Sequence, residues 1–162
     1  MEAFTYRDGE FYAEDVLVRE LAERHGTPLY IYSRNHLLSQ LAALREAMAE
    51  LDPLILFAVK SNSNAAVINT FASAGTGADV VSGGELYRAR QAGVPADRIA
   101  FAGVGKTVSE VEYALKEGIL YFTVESEPEI ARIYECASRL GVTGRIAIRV
   151  NPDVDPKTHK YT

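Results

Sequence analysis

Cysteine is nearly absent from this chain of 162 residues: Cys136 stands alone. That excludes a disulfide framework and a cysteine-built zinc cluster. Histidine is also scarce. His25, His36 and His159 fall in a loop, on a helix face and in the tail, at no spacing that suits a metal cage. No metal is expected. No apolar run approaches the ~20 residues that span a bilayer, so no membrane partner is expected either. Positive charge is not in excess, since 17 Lys and Arg face 22 Asp and Glu for a net −5, with no basic cluster. Nucleic acid is a poor partner for such a surface. The start, Met1 to Asp8, lacks a basic stretch and an apolar stretch, so a secretory leader is not expected and a cytoplasmic location is. Low-complexity and linker-like segments are missing too. With 48% hydrophobic and 24% charged residues, what remains is one ordinary globular domain.

The chain alternates strand and helix, with a repeat of roughly two dozen residues, the size of a βα unit. Strands are expected at Leu29–Tyr32, Leu54–Lys60, Ala78–Val81, Arg98–Phe101, Leu120–Val124 and Arg145–Val150. Helices are expected between them: one capped by Ser33, one over 65–74 that stops at Gly75, one that ends near Gly93, one over 108–117 and one over 127–140. Ser82-Gly83-Gly84-Glu85, Thr107-Val108-Ser109-Glu110 and Ser126-Glu127-Pro128-Glu129 each read as a capping box just after a strand. Five such strands follow from the Lys60 segment onward, whereas a closed (β/α)₈ barrel needs eight and about 250 residues. The expected fold is therefore α/β, a partial TIM-type barrel of the first five to six βα units. Residues 1–28 read as a segment leading into it and 29–162 as the incomplete barrel. The chain reads as a fragment with open sheet edges.

Lys60 closes the apolar run Leu54-Ile55-Leu56-Phe57-Ala58-Val59 and is followed by the turn-formers Ser61-Asn62-Ser63-Asn64. Alternation places Leu56, Ala58 and Lys60 on one strand face, with the amine at the carboxyl end, where α/β sheets put their chemistry. An amine in apolar surroundings is a usable nucleophile and suits imine formation with an aldehyde. A lysine that snorkels into water is the plainer reading. Asp79 lies within an apolar strand and needs a partner if buried. Arg149 shares a face with Ala147, so an Asp79–Arg149 pair near Lys60 would satisfy all three charges. That pair serves equally as a structural tie or as part of a catalytic site. Glu85 reads first as half of a capping box, although Gly83 and Gly84 beside it would let a bound anion approach. Gly103-Val104-Gly105-Lys106-Thr107 resembles a phosphate loop, but Ala100 stands where that motif requires glycine. Cys136, between Ile133 and Leu140, reads as a buried packing thiol.

Three ordered segments then become familiar: Phe57-Ala58-Val59-Lys60-Ser61-Asn62, Gly75-Thr76-Gly77-Ala78-Asp79-Val80-Val81-Ser82-Gly83-Gly84-Glu85-Leu86, and Arg149-Val150-Asn151-Pro152-Asp153-Val154-Asp155. With His25-Gly26-Thr27-Pro28-Leu29-Tyr30 and Thr158-His159-Lys160-Tyr161, they closely resemble the diaminopimelate decarboxylase family of fold type III (alanine-racemase-like) pyridoxal-phosphate decarboxylases. The resemblance implies that Lys60 carries pyridoxal 5′-phosphate, that Asp79 and Arg149 lie beside it and that Glu85 is close by. It also implies that a full-length parent, a homodimer, decarboxylates meso-2,6-diaminopimelate to L-lysine. The C-terminal β domain and further cofactor contacts would lie past Thr162, so the fragment alone is expected to be inactive. Decarboxylases of ornithine, arginine or carboxynorspermidine, and non-catalytic barrels that bind the same cofactor, are the alternatives within the fold.

Overall fold

A computed structural model describes residues 2–154 and Lys157. Asp155 and the Thr158–Tyr161 motif lie outside the described residues. The first element is a small antiparallel sheet of β1 (Phe4–Arg7), β2 (Glu10–Ala13) and β3 (Val16–Leu17), followed by α1 (Val18–His25). Asp8 and Gly9 join β1 to β2 with φ of 51° and 82°, the left-handed pair that a two-residue hairpin needs. Glu14 then ties this sheet to the rest. Its carboxylate accepts from the Ser33 hydroxyl at 2.6 Å, the Asn35 amide at 3.0 Å and Asn35 Nδ2 at 2.6 Å, at the start of α2 (Arg34–Ala47).

Five parallel strands form the main sheet, in the order β4 (Leu56–Ala58), β5 (Gly77–Val80), β6 (Ile99–Phe101), β7 (Tyr121–Val124) and β8 (Ile146–Ile148). Between them run α3 (Ala65–Ser73), α4 (Gly83–Gln91), α5 (Val108–Glu117) and α6 (Glu127–Leu140). This is the expected partial barrel. One strand face meets the helices: Val80 pairs with Phe101, Phe101 with Phe122 and Phe122 with Ile146. Phe101 and Phe122 stack at 6.1 Å between centroids, and Leu86, Val111, Ile133 and Cys136 complete the core around them. Each large side chain fully buried here contributes about 1.5–3 kcal/mol of hydrophobic stabilisation. Cys136 is thus the packing thiol expected, with Arg139 Nη2 3.6 Å from its sulfur.

The expected strand Arg145–Val150 shortens to Ile146–Ile148, and two others change more. Leu29–Tyr32 forms no strand, and Tyr30 is 84% exposed. Apolar alternation alone cannot make a strand without a neighbour to complete its ladder, and among the described residues β4 pairs only with β5. The Lys60 strand is shorter than expected, because Val59–Ser61 is a 3₁₀ turn. Ser61 Oγ donates to the Ala58 carbonyl at 2.7 Å, and the Asn62 amide donates to the Val59 carbonyl at 3.1 Å. These local bonds outcompete the ladder at the strand's end.

Gly77 opens β5 where no other residue fits. A Cβ there would lie 2.0 Å from the Arg98 carbonyl oxygen and 2.4 Å from Leu56 Cδ2. Gly77→Ala is expected to cost about 3 kcal/mol, at the top of the usual range for overpacking. Gly105→Ala, which meets nothing within 4 Å, is expected to stay within about 0.5 kcal/mol. Urea unfolding of the two variants measures the difference.

Candidate active site

The face turned away from the helices is read from the register. Ala58 pairs with Asp79, Asp79 with Ala100 and Ala100 with Tyr121; further along, Thr123 pairs with Ala147. Alternation puts Glu125 and Arg149 on that same face, at the carboxyl rim. Lys60 follows Ala58 on the 3₁₀ turn. Asp79 therefore sits between two alanines, close enough to the Lys60 amine to interact with it electrostatically.

Lys60 and Asp79 come together. Burial pushes the Asp79 carboxyl above its ordinary value, and the nearby Lys60 ammonium pulls it back in part. Neither makes a hydrogen bond or ion pair among the described residues. Lys60 is exposed, so the expected apolar enclosure of the amine is not found among the described residues.

The expected Asp79–Arg149 pair is not formed either. Arg149 Nη1 lies 3.4 Å from Glu125 Oε1, while its backbone N–H donates to the Val124 carbonyl at 2.9 Å. Asp79 belongs to the second strand of the sheet and Arg149 follows the fifth, so three strand spacings, about 14 Å, separate them across the sheet. Sharing a face did not make them neighbours.

Helix starts line the rim, and each uses its glutamate differently. Thr107 and Glu110 form a complete capping box. Ser82 Oγ accepts from the Glu85 amide at 3.2 Å, but the Glu85 carboxylate reaches one residue further back, to the Val81 amide at 2.8 Å. Ser126 makes no side-chain cap, and Glu129 Oε2 accepts from the Glu125 amide at 2.8 Å. Two of the three expected boxes are thus variants in which the carboxylate pins the end of the preceding strand. Glu110 Oε1 also accepts from the Gly83 amide at 2.7 Å, and a Cβ on Gly83 would lie 3.0 Å from Glu110 Cγ. The amides of Gly83 and Thr107 on this carboxylate hold it below the ordinary range.

Lys106 is the residue that sequence reasoning undervalued. It is 3% exposed, and its Nζ donates to the Gly103 and Thr123 carbonyls at 2.7 Å each and to Glu129 Oε1 at 2.6 Å. All three ammonium protons are used, so the amine is turned away from any phosphate. No group of three or more His, Cys, Asp or Glu side chains among the described residues could hold a metal, and none of the described helices is long and apolar enough to cross a membrane.

Residues 34–162 match the family model described as "Pyridoxal-dependent decarboxylase, pyridoxal binding domain". The chain belongs to that family. It is 52% identical over 96% of its length to a protein of Aquifex aeolicus named diaminopimelate decarboxylase, and 47% identical over 99% to one of Pseudomonas aeruginosa with the same name. It covers 37% and 39% of those proteins. The crystal structure of diaminopimelate decarboxylase from M. jannaschii in co-complex with L-lysine superposes with a TM-score of 0.92 at 37% identity, over 99% of this chain and 38% of that one. The cofactor of the family is pyridoxal phosphate, and the residues here fit it. Lys60 offers an exposed amine with no ion pair to break, and the half-buried carboxylate of Asp79 acts on it electrostatically.

The Asp79 shift has a sign that can be measured. Folding raises its pKa, so between the ordinary and the raised value the folded state holds more protons than the unfolded one, and stability falls as pH rises through that window. Asp79→Asn removes the penalty. The variant is expected to be more stable than wild type at neutral pH, with the difference closing as pH falls below the ordinary carboxylate value. Thermal unfolding across a pH series checks it.

Proposed function

We propose that this chain is the lysine-bearing part of a pyridoxal-phosphate decarboxylase whose full-length form converts meso-2,6-diaminopimelate to L-lysine. The observation that carries the reading is the Lys60 amine beside Asp79 at the carboxyl end of a parallel sheet. The names of relatives at 47–52% identity supply the substrate. Residues 29–162 serve as the barrel portion, and 1–28 lead into it. A homodimer in the cytoplasm is the expected setting of the full-length enzyme.

Bound pyridoxal phosphate supplies an electron sink for the pair left behind when carbon dioxide departs. Lys60 Nζ would attach the cofactor to the chain and, when released, hold a proton close to the reacting carbon. Asp79 offsets part of that amine's charge through space. Arg149 brings a guanidinium to the same face of the rim, and Glu85 fixes the turn after β5 that bounds the site.

Treating the chain with pyridoxal 5′-phosphate and borohydride, then mapping peptides, is expected to find the pyridoxyl mass on Lys60 and to lose it in Lys60→Ala. In the full-length protein Lys60→Ala is expected to lower carbon dioxide release from meso-diaminopimelate at least about 100-fold, the low end for a residue that moves a proton in the reaction. Label on a different lysine, or full turnover in the variant, would overturn the reading. Faster release from ornithine or arginine than from diaminopimelate would overturn the substrate alone.

A further inference from the structure

Lys106 and Glu129 form a buried ion pair, 3% and 6% exposed. A buried pair gains little over apolar residues of the same volume. What this pair does provide is direction. One ammonium reaches the carbonyl of Gly103 after β6, the carbonyl of Thr123 within β7 and the carboxylate of Glu129 on α6. Arg132 Nη1 closes the loop from the other side by donating to the Lys106 carbonyl at 2.8 Å. The second oxygen of Glu129 accepts from the Glu125 amide, which fixes the residue whose own carboxylate lies 3.4 Å from Arg149 Nη1. A continuous set of polar contacts therefore runs from the loop after β6 to the guanidinium at the rim.

We propose that Lys106 is a positioning residue for the candidate site, aiming the Arg149 guanidinium through Glu129 and Glu125. It touches neither cofactor nor substrate. The Lys106 contacts set the height of the Glu125 backbone on the rim, and the Glu125 carboxylate then holds Arg149 on its own side of the sheet, away from Asp79. The value of an aimed Arg149 rests on reading the site as one for pyridoxal phosphate, but the relay itself is a property of the chain alone.

The test separates aiming from mere structural support. The Nε–H resonance of Arg149, recorded without cofactor, reports whether its guanidinium is held. Lys106→Met leaves Glu129 buried and unpaired, so Lys106→Met/Glu129→Met, which removes both charges, is measured beside it. The Arg149 side chain is itself 67% exposed, so what the variants remove is its partner: both, and Glu125→Gln, are expected to shift the Arg149 signal to the position it takes when Glu125 no longer accepts from it. The same variants are expected to weaken pyridoxal 5′-phosphate binding about fivefold, the scale of coupling within one hydrogen-bonded network. They should add no further loss in an Arg149→Gln background. An Arg149 signal unchanged in folded Lys106→Met/Glu129→Met, or equal losses of affinity with and without Arg149, would overturn the relay and leave Lys106 a structural tie. If wild type takes up no pyridoxal 5′-phosphate, the functional reading fails while the resonance still decides the relay.

Discussion

Phe57, Ala78, Val80, Ile99, Phe101, Phe122 and Val124 face the helices, and this one-sided apolar alternation determines where everything else goes. Burying that set against α3 to α6 supplies the core. It also forces the opposite residues, Ala58, Asp79, Ala100, Tyr121, Thr123, Ala147 and Arg149, onto a single second face. A slip of one residue in any strand would exchange the two sets. Gly77, with no room for a side chain between Leu56 and Arg98, helps hold β5 in the register that puts Asp79 beside Ala58.

At the carboxyl end, the turns from strand to helix do more than connect. Glu85, Glu110 and Glu129 each stand in the first turn of a helix, where a carboxylate is favoured by the exposed amides. Each reaches outside its own helix: to the Val81 amide, to the Gly83 amide and, for Glu129, to the Glu125 amide and Lys106 Nζ. The rim is thereby stitched from one βα unit to the next. A site assembled there inherits the rigidity of the helix starts, although its residues lie on turns and strand ends.

Much of this was legible in the sequence. Helix starts were marked by Ser33 and Thr107, and those positions hold. The alternation that sorts Asp79 from Val80 needs no structure, and neither does the lysine after an apolar run. What failed did so where pairing decides. Leu29–Tyr32 has strand composition but no ladder partner, and Asp79 and Arg149 share a face but not adjacent strands. The Gly105-Lys106-Thr107 turn hid its most connected residue, because an inward-folding lysine differs from an exposed one only in which carbonyls lie within reach. Glu125 as the partner of Arg149 depends on the β7–β8 register, which composition does not encode. The Asp8-Gly9 hairpin was a signal present and passed over.

On this account pyridoxal phosphate binds at the face carrying Ala58, Asp79 and Ala100, with Lys60 at its edge. Amide chemical-shift mapping of the chain during titration with pyridoxal 5′-phosphate tests it most directly. Shifts concentrated at 58–62, 79–85, 100–103 and 123–125 are the predicted result. Shifts confined to the apolar groove of Ile133, Tyr134, Val142 and Ile146 on the helix side, or none at saturating cofactor, would contradict it.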